Sequence, residues 1–221
     1  MRLLSFDVGV RNLAFAELAL DRPAVGVGAV RECAPPRLVR WGLINLNPSG
    51  RKTVTPDDVL SELVAALDRE FVAPDPSAVW DYVLIENQPS RKNPTMKTIQ
   101  VAINTFFATL RMYSASVDHV RLIGATRKLS AAAPTTTTTT TYKDRKKMSV
   151  KLVEGYIPQL ARDRKEPPPE DEKGAAVECG GDELRAAVGV YRDAKKRDDL
   201  CDALLQAIAF VRRLDEDRRT R

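Results

Sequence analysis

Four acidic residues stand where side chains from separate elements can converge. Asp7 lies in the apolar run Leu3-Leu-Ser-Phe-Asp-Val-Gly9, Glu86 closes Tyr82-Val-Leu-Ile-Glu86, and Asp199 and Asp202 sit three residues apart further along. Carboxylates gathered in one place repel each other, and their pKa values rise unless a divalent cation restores the charge balance. The set therefore predicts a metal site. At about 100° per residue, Asp199 and Asp202 fall roughly 60° apart on one helical face, beside the stripe Leu200, Leu204, Ile208 and Val211, whereas Asp198 points elsewhere. An all-oxygen set with no Cys or His alongside suits Mg²⁺ or Mn²⁺ better than zinc. Two such ions about 3.5–4 Å apart activate water and stabilise the departing oxygen of a phosphodiester. Phosphodiester hydrolysis is the chemistry expected. The plainer alternative is that Asp7 and Glu86 end their strands in solvent, while Asp199 and Asp202 favour a helix N-terminus through its dipole.

Positioning these groups falls to a chain that alternates strands and helices. Leu3–Gly9 and Leu13–Leu20 flank a polar turn at Arg11-Asn12 and read as a β-hairpin, and Leu38–Leu46 reads as a third strand before Asn47-Pro-Ser-Gly50. Thr55-Pro56-Asp57-Asp58 opens a helix, with Thr55 as cap and Pro56 at the first helical position. Val59, Leu60, Leu63, Val64 and Leu67 then keep helical spacing. Tyr82–Glu86 is a fourth strand, and Thr95–Tyr113 a long helix with Met96, Ile99, Ile103, Phe106, Phe107 and Leu110 on its apolar stripe. Val120–Gly124 is a fifth strand. Further helices are expected around Lys146–Ile157, from Asp182 to Lys195, and from near Asp198. This order predicts an α/β fold, a mixed five-stranded sheet flanked by helices. Two flexible insertions interrupt it. One, at about 131–142, contains the threonine run Thr135–Thr141, which has no apolar face to bury; the other, at about 158–181, carries Pro167-Pro168-Pro169 and Gly180-Gly181.

At 221 residues, the chain is expected to form a single domain spanning 1–221. Its 43% apolar and 29% charged residues are ordinary globular usage, which excludes a wholly disordered, collagenous or disulfide-framework protein. Cys33, Cys179 and Cys201 form no Cys-x-x-Cys pair, which fits a reducing, intracellular setting. His119 is the single histidine, leaving little for a His-based triad or metal site, and is read as structural. No apolar run approaches the roughly 20 residues needed to span a bilayer, and Met1–Gly9 reads as a strand rather than a signal peptide, so a soluble protein is expected.

The order of motifs resembles the RNase H-like fold and, within it, the RuvC-like Holliday junction resolvases of poxviruses, related large DNA viruses and fungal mitochondria. The resemblance spans most of the chain. It is carried by Ser5-Phe-Asp-Val-Gly-Val-Arg-Asn-Leu-Ala-Phe15, Val83-Leu-Ile-Glu-Asn-Gln88 and Lys195-Lys-Arg-Asp-Asp-Leu-Cys-Asp-Ala-Leu-Leu205. It implies that Asp7, Glu86, Asp199 and Asp202 are the catalytic metal-binding set, with Asp198 an adjacent acid of undefined role. It further implies two Mg²⁺ ions, with Mn²⁺ as substitute, a four-way DNA junction as substrate, paired symmetric nicks with 5′-phosphate ends, and a homodimer. Replication and recombination intermediates are the natural substrates on this basis. The threonine tract and the proline-rich excursion depart from the family pattern.

Basic residues supply a second signal. Asn87–Lys97 is a polar connection in which Arg91, Lys92 and Lys97 are candidates to hold phosphates, and Met96 is more readily read as helix core than as a contact to an unstacked base. Lys146 and Lys147, in the cluster from Lys143 to Lys151, are further DNA-binding candidates. The excess of 35 Lys plus Arg over 30 Asp plus Glu gives only a +5 charge, which alone does not establish nucleic-acid binding. Asp7-Val-Gly9 before a hairpin also resembles the phosphate-binding turn of actin-like ATPases and sugar kinases, but the chain has no second D-x-G element. A non-catalytic junction-binding protein of the same fold is the other alternative.

Overall fold

The computed structural model describes residues 1–20, 36–50, 52, 55–91, 93–124, 142–157 and 181–220. Both expected insertions fall almost wholly outside these residues, as does Lys92. The strands are β1 (Arg2–Asp7), β2 (Asn12–Ala19), β3 (Arg37–Asn45), β4 (Trp80–Asn87) and β5 (Val117–Gly124). The helices are α1 (Pro56–Leu67), α2 (Pro94–Tyr113), α3 (Tyr142–Tyr156), α4 (Gly181–Asp193) and α5 (Arg197–Arg219). The sheet order is β3-β2-β1-β4-β5. β1 pairs antiparallel with β2 and parallel with β4, so it is the central strand on which the hairpin half and the crossover half meet.

Local sequence explains the main elements. Gly9 permits the tight β1–β2 turn, because a Cβ there would lie 2.4 Å from the Asn12 carbonyl oxygen. Thr55 caps α1 by accepting from the Asp58 N–H, while the Asp58 carboxylate accepts from the Thr55 N–H, a reciprocal capping box. Asn93 caps α2 by accepting from the Met96 N–H. β5 begins three residues earlier than the apolar run predicts, since polar Asp118 and His119 occupy its first half at the edge of the sheet.

Each face of the sheet has its own core. α1 and α2 cover one face, where Leu4, Phe6, Leu13, Phe15, Val83 and Ile85 meet Leu63, Ile103 and Phe107. A π-helical turn, Asp68–Val72, follows α1 and drives Phe71 edge-on between Phe6 and Phe15, with ring centroids 5.4 and 5.1 Å away. The opposite face, carrying Leu3, Ala14, Ala16, Leu18 and Leu84, packs with Leu152, Val153, Tyr191, Leu200, Leu204 and Ile208. Met96 is partly buried against the α1–α2 core, and His119 stacks on Tyr82 at 5.0 Å, so both have structural contacts.

The fully buried Glu17 closes a charged knot on the α1–α2 side. Its Oε1 accepts from Arg2 Nη2 at 2.6 Å and Trp80 Nε1 at 3.1 Å, and its Oε2 accepts from Arg40 Nε at 2.7 Å. Arg40 also donates to the Glu70 carbonyl in the π-helical turn at 2.7 Å and lies over the Phe71 ring. A buried carboxylate is tolerated here because each oxygen meets a charged donor.

Candidate active site

Asp7 is the last residue of β1, and Glu86 the penultimate residue of β4. The parallel register Phe6↔Ile85 places them side by side at the same end of the sheet. Alternation along the strands then fixes their face: Leu3 and Leu84 belong to the α5 core, so Asp7 and Glu86 project toward α5.

The helix brings the other two carboxylates to the same end. Gln206 Nε2 donates to Ser5 Oγ at 3.1 Å and to the Phe6 carbonyl at 3.3 Å, pinning the middle of α5 over β1. One turn back toward its N-terminus is Asp202, and nearly another turn back is Asp199. That rise of about 6 Å per four residues matches the step of about 6.6 Å from Ser5 to Asp7. Burial pushes the Asp199 carboxyl up to about 6, and the negative charges of Asp198 and Asp7 add to the shift, against partial relief from Lys196 and Lys146. Asp7, at the end of the first strand, is thus near enough to Asp199, at the start of the last helix, to act on its charge.

Neighbouring residues hold this arrangement. α5 has no side-chain N-cap. Arg197 instead donates to the carbonyls of Tyr191 and Arg192, at 3.1 and 3.3 Å, and covers the Tyr191 ring. Trp41 stacks on Tyr191 and donates its Nε1–H to the Leu200 carbonyl at 2.9 Å. Tyr191 donates in turn to Glu154 Oε1 at 2.9 Å. Glu86 Oε2 accepts from Gln88 Nε2 at 2.7 Å, and the Gln88 N–H donates to Gln100 Oε1 at 3.2 Å. Lys97 Nζ donates to Gln100 Oε1 at 2.8 Å and Asn87 Oδ1 at 3.2 Å, so this expected phosphate contact is tied into the support of Glu86. Asp198, which the sequence left without a defined role, has a partner of its own. It forms an ion pair with Lys146 across α3 and α5, which sets Lys146 beside the acidic cluster. Arg91 and Lys147 are exposed.

The donors are all oxygen, and Asp199 bears an excess of negative charge that a hard divalent cation would relieve, so their chemistry fits Mg²⁺ or Mn²⁺. Among the described residues, no three His, Cys, Asp or Glu side chains are close enough to enclose one ion. Sequence reasoning picked out the acids and missed Gln88, Gln100, Gln206, Trp41 and Tyr191. A glutamine interrupting an apolar stripe, as at positions 100 and 206, was the available signal.

No protein-family model matches the chain, and no curated protein matches it by sequence. Solved structures do match. The yeast mitochondrial Holliday junction resolvase Ydc2 aligns with a TM-score of 0.60 at 14% identity, over 95% of this chain and 78% of that one. The fold is that of the RNase H-like resolvases. Fowlpox virus resolvase, in a structure with Holliday junction DNA, aligns at 0.54 and 17% identity over 97% of this chain and 99% of that one. Thermus thermophilus RuvC aligns at 0.52 and 11% identity over 96% of both chains. The resolvase fold thus accounts for nearly the whole chain, and the mixed sheet expected from sequence is the one observed. No described helix is long and apolar enough to cross a membrane.

Proposed function

We propose that the protein is a divalent-metal-dependent endonuclease that resolves four-way DNA junctions by paired symmetric nicks. The observation that supports this reading is that, in a fold shared with known resolvases, Asp7 and Glu86 end adjacent parallel strands on the sheet face covered by the helix that carries Asp199. Asp7, Glu86, Asp199 and Asp202 would hold the ions, two in number. When bound, Mg²⁺ supplies an activated water and charge neutralisation at the leaving 3′ oxygen, giving ligatable 5′-phosphate ends. Gln88 orients Glu86, and the acid-rich first turn of α5 keeps its carboxylates at the positive end of the helix dipole. Arg91, Lys97, Lys146 and Lys147 are the described candidates to contact phosphates.

A homodimer matches the near two-fold symmetry of a junction. Its support here is α2, where Pro94, Thr98, Val101, Thr105, Thr109 and Met112 form an exposed, uncharged stripe at helical spacing, with the exposed Arg111 to one side of it. Such a face suits a second copy of itself. Processing of branched DNA during replication, recombination or repair is the corresponding cellular role.

The test is incubation of purified protein with a labelled four-way junction and a matching linear duplex, with Mg²⁺ or with EDTA. Paired metal-dependent nicks in the junction alone are expected. Asp7→Asn and Asp202→Asn should each lose at least about 10³-fold in cleavage rate while binding the junction as the wild type does. Undiminished cleavage by both variants overturns the site, and tight binding by a wild type that never cuts overturns the enzyme.

A further inference from the structure

The side chain of Gln206 is an anomaly in its surroundings. It is fully buried on the core side of α5, among Ala203, Leu204, Ala207 and Ile208, where an aliphatic residue would pack without polar cost. Its Nε2 is used twice, toward Ser5 Oγ at 3.1 Å and the Phe6 carbonyl at 3.3 Å. Its Oε1 is buried with no hydrogen-bond partner among the described residues. An unsatisfied buried acceptor costs stability, so as a fold element this glutamine has no advantage over methionine of similar volume. Buried polar groups that cost stability are found where they fix geometry that packing leaves loose.

What Gln206 fixes is specific. Phe6 directly precedes Asp7, and Gln206 lies one helical turn beyond Asp202. The paired donation therefore sets both the height and the axial register of α5 over β1, and hence the separation between carboxylates on the two elements. Aliphatic packing resists displacement of a helix over a sheet but does not single out one backbone atom to set its height. Two hydrogen bonds from one amide to a side chain and the adjacent carbonyl do.

We infer that Gln206 is a positioning residue that registers Asp199 and Asp202 against Asp7, a role that rests on the nuclease reading above. Gln206→Met retains shape and removes this tie between α5 and β1, leaving the Trp41–Leu200 bond from β3.

The experiment compares wild type, Gln206→Met, Ser5→Ala and the double variant by thermal melting, by calorimetric titration with Mn²⁺ in the absence of DNA, and by junction cleavage at saturating substrate. The expected result is a melting temperature for Gln206→Met equal to or above that of wild type, Mn²⁺ affinity weakened at least about tenfold, kcat lowered by a similar factor and KM for the junction unchanged. Ser5→Ala should show a smaller loss, and the double variant should be no worse than Gln206→Met. If Gln206→Met melts lower but keeps wild-type kcat and Mn²⁺ affinity, the residue is only a packing brace and the inference fails. A wild type that neither cuts nor takes up Mn²⁺ overturns the nuclease reading, and this role with it.

Discussion

Asp199 shows how one residue records the conflict between folding and chemistry. Its carboxyl is raised from an ordinary 3.8 to about 6, first by burial and then by Asp198 and Asp7. Below the lower value, folded and unfolded chains both hold the proton. Between the two values only the folded chain does, so unfolding releases a proton and stability falls as the pH rises through this window. Above about 6 the folded protein carries the full penalty. Asp199→Asn is therefore expected to raise the melting temperature at pH 7.5 in EDTA, with the gain shrinking to nothing as the pH is lowered below the ordinary carboxylate value. An unchanged melting temperature at pH 7.5 would remove Asp199 from the crowded cluster. The acids were legible in the sequence because a charge closing an apolar strand has few structural reasons to be there. Gln88 was not, because a neutral amide at a strand end signals its importance only through the atoms that it touches, and Gln206 left no more than an interrupted apolar stripe.

Elements were legible where a local rule sufficed. The Thr55–Asp58 box and the Pro94 start announce α1 and α2, and the short polar link at Arg11-Asn12 announces the hairpin. The π-helical turn after α1 was not, since Asp68–Val72 carries no breaker; it is held by long-range partners, with Arg40 of β3 on the Glu70 carbonyl and Phe71 sunk into the sheet core. Glu17 was illegible for the same reason, its ligands Arg2, Arg40 and Trp80 coming from three other strands. The knot joins β1, β2, β3, β4 and the π-helical turn, so its loss should be felt by the fold as a whole. Glu17→Ala leaves two guanidinium groups without their shared carboxylate and is expected to cost about 3–5 kcal/mol in denaturant unfolding. Cleavage per folded molecule should persist, because Glu17 lies on the opposite sheet face from Asp7 and Glu86. A loss below about 1 kcal/mol would show that the knot is solvated and dispensable.

Across the whole molecule, one sheet separates the two tasks. The face under α1 and α2 carries the aromatic cluster and the Glu17 knot, whereas the face under α5 carries the acids. In the proposed dimer the uncharged stripe of α2 would meet a second copy. Val101, 49% exposed near the middle of that face, is the place to test it. In such a dimer, Val101→Glu would set like charges on the two contact faces and should shift the mass measured by sedimentation from dimer to monomer, leaving the fold intact. A wild type that is monomeric at every concentration removes the dimer. The carboxylates themselves are divided between the earliest strand and the latest helix. A growing chain therefore has its entire sheet, and the core beneath α1 and α2, before Asp199 and Asp202 have been translated. On the nuclease reading, any product of premature termination before Arg197 is unable to cut the DNA of the cell that makes it.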